Sequence, residues 1–430
     1  MKNPKTYLAF LLFFCFSLFL LYGCSEKKQK VKKTEISFIH GKPLGRQAEI
    51  FKAIIADFEK ENPGIKVIDK TLPNKSDLQH QFYVTNLGAQ SESFDVLSID
   101  IIWLSEFAAS DWLAPLDQFA DKEFELKFFK GAIRGCSYGD ILYAVPWFID
   151  AGLLYYRKDL LDKHGFDPPQ TFDQLVEHCQ TIIEKEKKEK LYGFVWQGMQ
   201  YEGLVCNFLE YIWGSGGIIL DQENRVQINS SQNQKALTFM YELIHKHKIT
   251  PEAVATYSEE ESRHVFGNGE SVFLRNWPYV WSLVESEDSP LRGKVGIAPM
   301  PRFQGGESAA TLGGWQLGIN NYSENKKGAW KLVEYMTSYP VQKILALGLS
   351  RNPTLVSLYD DPDIKRQAPF MKDLLSVFKR ARPRPVTPFY PDISLIIQRE
   401  VSGVLADLKS PREALDIMEE EIQKILKKSM

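Results

Sequence analysis

The chain has 430 residues, with 52 Lys+Arg against 55 Asp+Glu and a formal charge of −3. A balance this close to neutral lacks the basic field that a phosphate backbone requires, so it argues against nucleic acid as a partner. The composition, 44% hydrophobic and 25% charged, is that of a globular chain with enough core for two or three domains. One stretch alone, at the extreme N-terminus, is apolar enough to meet a bilayer, which excludes a multi-span membrane protein.

That stretch has the form of an export signal. Lys2 and Lys5 precede an uncharged apolar run from Leu8 to Tyr22, shorter than the roughly 20 residues of a spanning helix. It ends in Leu21-Tyr22-Gly23-Cys24-Ser25, which resembles a bacterial lipobox, with Cys24 as the lipidated residue. Tyr22 is bulkier than the usual residue at its position. Residues 1–23 are therefore read as a lipoprotein signal peptide and 24–34, rich in lysine, as a polar tether. An uncleaved N-terminal anchor is the other reading, and both place the body outside the cytoplasm. Cys136, Cys179 and Cys206 then remain, without CxxC spacing or a nearby histidine pattern. They form no disulfide scaffold and no zinc site, and free buried thiols are expected.

Glu35 to Ile39 alternates and predicts a strand. Ile50, Phe51, Ile54, Ile55 and Phe58 recur at helical spacing, and Pro63-Gly64 ends that helix. Lys66–Asp69 and Phe94–Asp100 predict two further strands. Strand, helix, strand in this rhythm gives a mostly parallel sheet, whose ligands collect outside the carboxyl ends of the strands. Asp100 stands at such an end. Leu142–Phe148 is extended but contains Pro146, which marks an edge strand or a crossing between lobes. Asp150 follows it. Leu153–Arg157 predicts a strand, Thr171 caps a helix, Thr311–Ile319 predicts a strand, and Ala329–Met336 predicts a helix. Arg380–Pro391 is a proline-rich loop, and Arg412–Lys428 predicts an amphipathic helix.

No GxSxG elbow, HExxH, Walker loop or post-strand GxGxxG is present. His245 and His247 sit near a predicted helix end and read as capping charges. What stands out is aromatic residues beside polar ones in loops: Asn276–Trp281, Gly313–Trp315 and Arg382–Pro391. A sugar ring offers an apolar C–H face to a flat aromatic and a fringe of hydroxyls to carboxylates and guanidinium groups. Trp, Asp and Arg together in loops thus have the chemistry of a carbohydrate cleft, although a single such aromatic, taken alone, is more often core.

These segments resemble the trehalose/maltose-binding proteins of ABC importers, within the family 1 extracellular solute-binding proteins. The likeness runs from about Ile36 to the C-terminus and is most specific at Ile149–Leu161, Gly193–Gly198, Gln200–Cys206, Arg275–Tyr279 and Ser308–Trp315. The resemblance implies an α/β, two-lobed periplasmic-binding-protein fold of type II, like maltose-binding protein, with a ligand cleft between lobes that close by hinge bending. It implies a first lobe of 35–145 plus 310–351 and a second of 146–309 plus 352–430. It also implies sugar contacts at Asp100, Asp150, Trp277, Tyr279, Gly314, Trp315, Arg384 and Tyr390.

Three positions depart from the pattern. Phe148 replaces a tyrosine, Gln47 a first-helix glutamate, and Gln79 or His80 falls where an arginine is expected. One lost hydrogen bond to a buried partner shifts affinity by about 1–3 kcal/mol, so the ligand class survives these changes better than its identity. The expectation is a non-catalytic, monomeric, lipid-anchored receptor, without cofactor or metal, that delivers trehalose, maltose or another small α-glucoside to an ABC permease. A receptor presenting its ligand to a signalling partner would look the same in sequence. The alternative from another class is an extracytoplasmic glycoside hydrolase with Asp100 and Asp150 as its carboxylate pair.

Overall fold

The computed structural model describes residues 33–44, 47–221 and 223–428, apart from the side chains of 373, 375, 376 and 428. The proposed signal peptide, Cys24 and nearly all of the tether lie outside them. Within them no helix is long and apolar enough to cross a membrane.

Three parallel strands open the chain: β1 (Thr34–Gly41), β2 (Ile65–Leu72) and β3 (Val96–Asp100). Helices Gln47–Glu61 and Ser76–Gly88 connect them. The first of these helices buries Phe51, Ile54, Ile55 and Phe58, the periodic set, against the sheet. A small hairpin, β4 (Ser137–Tyr138) and β5 (Ile141–Leu142), leads to β6 (Ala144–Ala151). The chain then turns at Gly152 into a second sheet, formed by β7 (Leu153–Arg157), β8 (Tyr192–Val195), β9 (Ser271–Asn276) and β10 (Val295–Ala298), in the order β10-β7-β9-β8. It returns through β11 (Ala310–Ile319), which lies antiparallel to both β3 and β6, with β12 (Ala381–Arg382) beside its start. The first sheet therefore runs β12-β11-β3-β1-β2, with β6 alongside β11.

Pro146 sits in β6, whose sole strand partner among the described residues is β11. This is the edge position that a residue without an N–H tolerates. Thr171 and Gln174 form a reciprocal capping box at the head of helix Phe172–Glu186. Helix Glu202–Gly214 is buried along its whole length. It carries no polar stripe, so periodicity did not reveal it. Around the first sheet packs a core that includes Phe38, Phe51, Trp147 and Leu317, and around the second one that includes Trp196, Phe208, Met240, Ile397 and Met418. The segment after β11 divides between them: Leu355, Leu358 and Ile364 enter the first core, whereas Ile393 to Leu426 enter the second. Cys136, Cys179 and Cys206 are buried free thiols.

Two glycines are imposed by close approach. A Cβ on Gly152 would lie 1.9 Å from Glu210 Oε1, inside a fully buried ion pair in which Arg275 bonds Glu210 at 2.6 and 2.9 Å. Glu210 Oε1 also accepts the Thr311 N–H at 3.0 Å, tying the start of β11 to the helix of the other lobe. Gly314 has φ +138°, and a Cβ there would meet the Phe148 carbonyl at 2.6 Å.

Candidate binding site

The carboxyl ends of β1 and β3 face a cleft whose other wall comes from helix Glu202–Gly214, the residues after β9 and the 383–388 loop. Gln47, Gln79, Asp100, Phe148, Asp150, Trp277, Tyr279, Gly314, Trp315 and Arg384 all line it. His80 does not; it pairs with Glu106 at 2.6 Å. Tyr390 is fully buried behind the wall, where its hydroxyl donates to Glu202 Oε1 at 2.7 Å.

Arg384 joins the two walls. Its Nη2 donates to Asp100 Oδ1 at 3.1 Å, on β3 of the first lobe, and its Nη1 to Glu202 Oε1 at 2.9 Å, on the second. Ser394 Oγ donates to the other Glu202 oxygen. Burial pushes both carboxyls upward, and the guanidinium between them opposes that. Asp150 is the penultimate residue of β6, near Arg351. Burial pushes it up to about 7, against the pull of Arg351 and a hydrogen bond from Asn352. The Arg351 guanidinium covers the Phe148 ring at 4.2 Å and the Trp147 ring at 5.0 Å, and burial lowers it to about 10.

The aromatics are braced. Arg275 lies over the Trp277 ring at 4.2 Å, and the Trp277 indole donates to Glu259 at 3.3 Å. Gly313 admits the ring's edge, because a Cβ there would stand 3.0 Å from it. The Tyr279 hydroxyl donates to Glu260 at 2.6 Å. Trp315 meets Trp103 edge to face, with ring centroids 5.7 Å apart. Four residues of the lining carry buried polar atoms without a hydrogen-bond partner among the described residues: Gln79 Oε1, Trp147 Nε1, Arg351 Nη1 and Arg384 Nε. Buried polar groups are nearly always paired, so these four atoms are exceptions within the site. No group of His, Cys, Asp and Glu among the described residues is placed to hold a metal ion.

Residues 43–343 match the family described as bacterial extracellular solute-binding protein. The chain belongs to this family. It is 39% identical over 361 residues to the Deinococcus radiodurans "Probable ABC transporter-binding protein", covering 82% of this chain and 85% of that one. It is similar to the structure of "Maltose bound T. maritima MalE3" at 45% identity, covering 91% and 99% of the two chains with a TM-score of 0.87. A Thermotoga lettingae ABC transporter solute-binding protein bound with α-D-tagatose is 27% identical, covering 92% and 100%, with a TM-score of 0.83. The fold is thus the two-lobed type II fold of binding proteins. The protein is an extracytoplasmic binding component rather than an enzyme.

Sequence reasoning did not single out Glu202, Glu259, Glu260, Trp147 or Arg351 as lining residues. Glu202 lay inside the stretch Gln200–Cys206, and Arg351 at the expected end of the first lobe. Each is a charged or amphipathic residue whose apolar neighbours place it in a buried setting, a signal that a single sequence carries faintly.

Proposed function

We propose that this solute-binding protein is a monomeric, lipid-anchored receptor that captures a disaccharide, trehalose or a maltose-like α-glucoside, and delivers it to an ABC permease. The observation that carries this reading is the meeting of Trp277, Tyr279 and Trp315 with Asp100 and Asp150 in one interlobe cleft. The rings take the apolar faces of two sugar units, and the carboxylates accept from their hydroxyls. Gly314 contributes its backbone, and Arg384 adds donors once a sugar competes for its face. Tyr390 acts from behind, by holding Glu202. The 45% identical neighbour is described as maltose-bound, which supports an α-glucoside. In this reading the first lobe comprises 35–145 and 310–351 and the second 146–309 and 352–430. The packing of Leu355 to Val377 in the first core, and of β6 and β12 in the first sheet, supports moving these segments to the first lobe.

The anchor rests on the Gly23-Cys24 signature. Phe148, Gln47 and Gln79 leave the exact sugar to experiment. Titration calorimetry of the purified protein against trehalose, maltose, sucrose and glucose tests the reading. One disaccharide bound at micromolar or tighter, about −8 kcal/mol or better, without heat of turnover, is the expected result. Silence across the panel overturns the disaccharide assignment. Release of glucose from an α-glucoside, abolished by Asp150→Ala, would restore the hydrolase alternative, which none of the relatives named above supports.

A further inference from the structure

Helix Glu202–Gly214 begins without a cap from its own flank. Tyr201 occupies the N-cap position and its side chain makes no capping bond. The Glu202 N–H instead donates to Asp77 Oδ1 at 3.0 Å. Asp77 lies 125 residues away in the chain, in the first turn of helix Ser76–Gly88. That helix buries Tyr83 and Leu87 in the first core, whereas Leu204, Val205 and Phe208 of the capped helix belong to the second. Next to this contact, Lys75 Nζ approaches Met199 Sδ at 3.5 Å, again from one lobe to the other. Asp77 itself does not line the cleft.

We propose that Asp77 is an interlobe cap, a positioning residue that completes the N-terminus of helix Glu202–Gly214 when the lobes are together and so strengthens ligand capture without touching the ligand. The physics is that of any N-cap. The first amides of a helix have no partner within it, and a carboxylate there satisfies one of them and faces the positive end of the helix dipole. Here the cap comes from the opposite lobe, so parting the lobes removes it. The same residue is grasped a second time through its side chain, since Glu202 holds Arg384 and Arg384 holds Asp100 of the first lobe. Asp77 thereby resists opening at the edge of the cleft, and its effect belongs in the dissociation rate.

The proposal rests on the sugar-receptor reading, and its test has one arm that does not. The purified protein and its Asp77→Ala and Asp77→Asn variants are titrated with maltose and followed by stopped-flow dissociation. Hydrogen exchange of the peptide spanning 200–206 is measured with and without maltose. Asp77→Ala is expected to weaken binding by about 2- to 30-fold, mainly through faster release. It should also raise exchange at Glu202 while the melting temperature without sugar stays unchanged. Asn caps as well as Asp, so Asp77→Asn should keep both affinity and protection. Equal exchange at Glu202 in wild type and Asp77→Ala overturns the interlobe cap, whether or not maltose binds. A fall in melting temperature equal for both variants would also overturn it, by assigning Asp77 to its own helix. Wild-type protein silent to maltose and to the rest of the sugar panel overturns the disaccharide reading instead and leaves the exchange comparison to decide the cap.

Discussion

Trp277 is fixed on two sides, by the Arg275 guanidinium over its face and by Gly313 at its edge. A ring held this way meets a ligand without first surrendering rotamer freedom, which favours affinity. Trp277→Ala is expected to cost about 2–4 kcal/mol of sugar binding, the range of a hot-spot aromatic, and an unchanged Kd by calorimetry would remove its stacking role. Asp150 gives a second prediction at this scale. Its carboxyl is raised by burial to about 7, above the ordinary carboxylate range. The folded protein therefore holds a proton there that the unfolded chain has lost, and the stability this contributes declines as pH rises toward 7. Sugar hydroxyls donate best to the ionised form, so affinity should run the other way. It should rise as pH increases, by up to about tenfold per unit, and level off above about 7. Titrations at acidic, neutral and alkaline pH check this, and Asp150→Asn should flatten the profile.

At the scale of elements, β11 is the strand on which the site is built. It pairs Trp315 with Asp100 on one side and with Phe148 on the other, so three lining residues share one register. That register shifts between Trp315 and Gln316, just after Gly314 takes its left-handed φ. Gly314→Ala brings a methyl against the Phe148 carbonyl and places a side chain where glycine alone is at ease. A loss of about 1–3 kcal/mol in unfolding free energy is expected, with weaker sugar binding, and denaturant melts measure it. Most elements were legible because their signals are local: Phe51, Ile54, Ile55 and Phe58 at helical spacing, Pro63-Gly64 as a stop, Thr171 with Gln174 as a cap. Helix Glu202–Gly214 was not, because a helix buried all round shows no period. Asp100, Asp150 and Trp277 could be named, since each closes a strand or opens a loop. That Tyr390 lies behind Glu202 rather than in the cleft depends on a contact spanning 188 residues, which no local pattern encodes.

For the whole molecule, the proposed attachment to a membrane rests on Cys24. Cys24→Ala is expected to abolish lipidation and release the protein from membranes, and fractionation of cells producing the variant reads this directly. A variant that stays membrane-bound with normal processing would remove the lipobox reading. The three passages of chain between the sheets set how the halves communicate. Glu210 takes part at one of them, bonding Arg275 in its own lobe and the Thr311 N–H at the start of β11.

The four unsatisfied polar atoms in the cleft, on Gln79, Trp147, Arg351 and Arg384, have a consequence for how this protein tolerates change. Each is a buried polar atom without a partner among the described residues, and such an atom costs stability. An apolar residue in place of Gln79 would remove one such atom, whereas an apolar residue in place of Arg384 would leave Asp100 and Glu202 buried without their counter-charge and lower stability. Selection on thermal survival alone would therefore keep Arg384 for its ion pairs, so robustness and recognition share that residue.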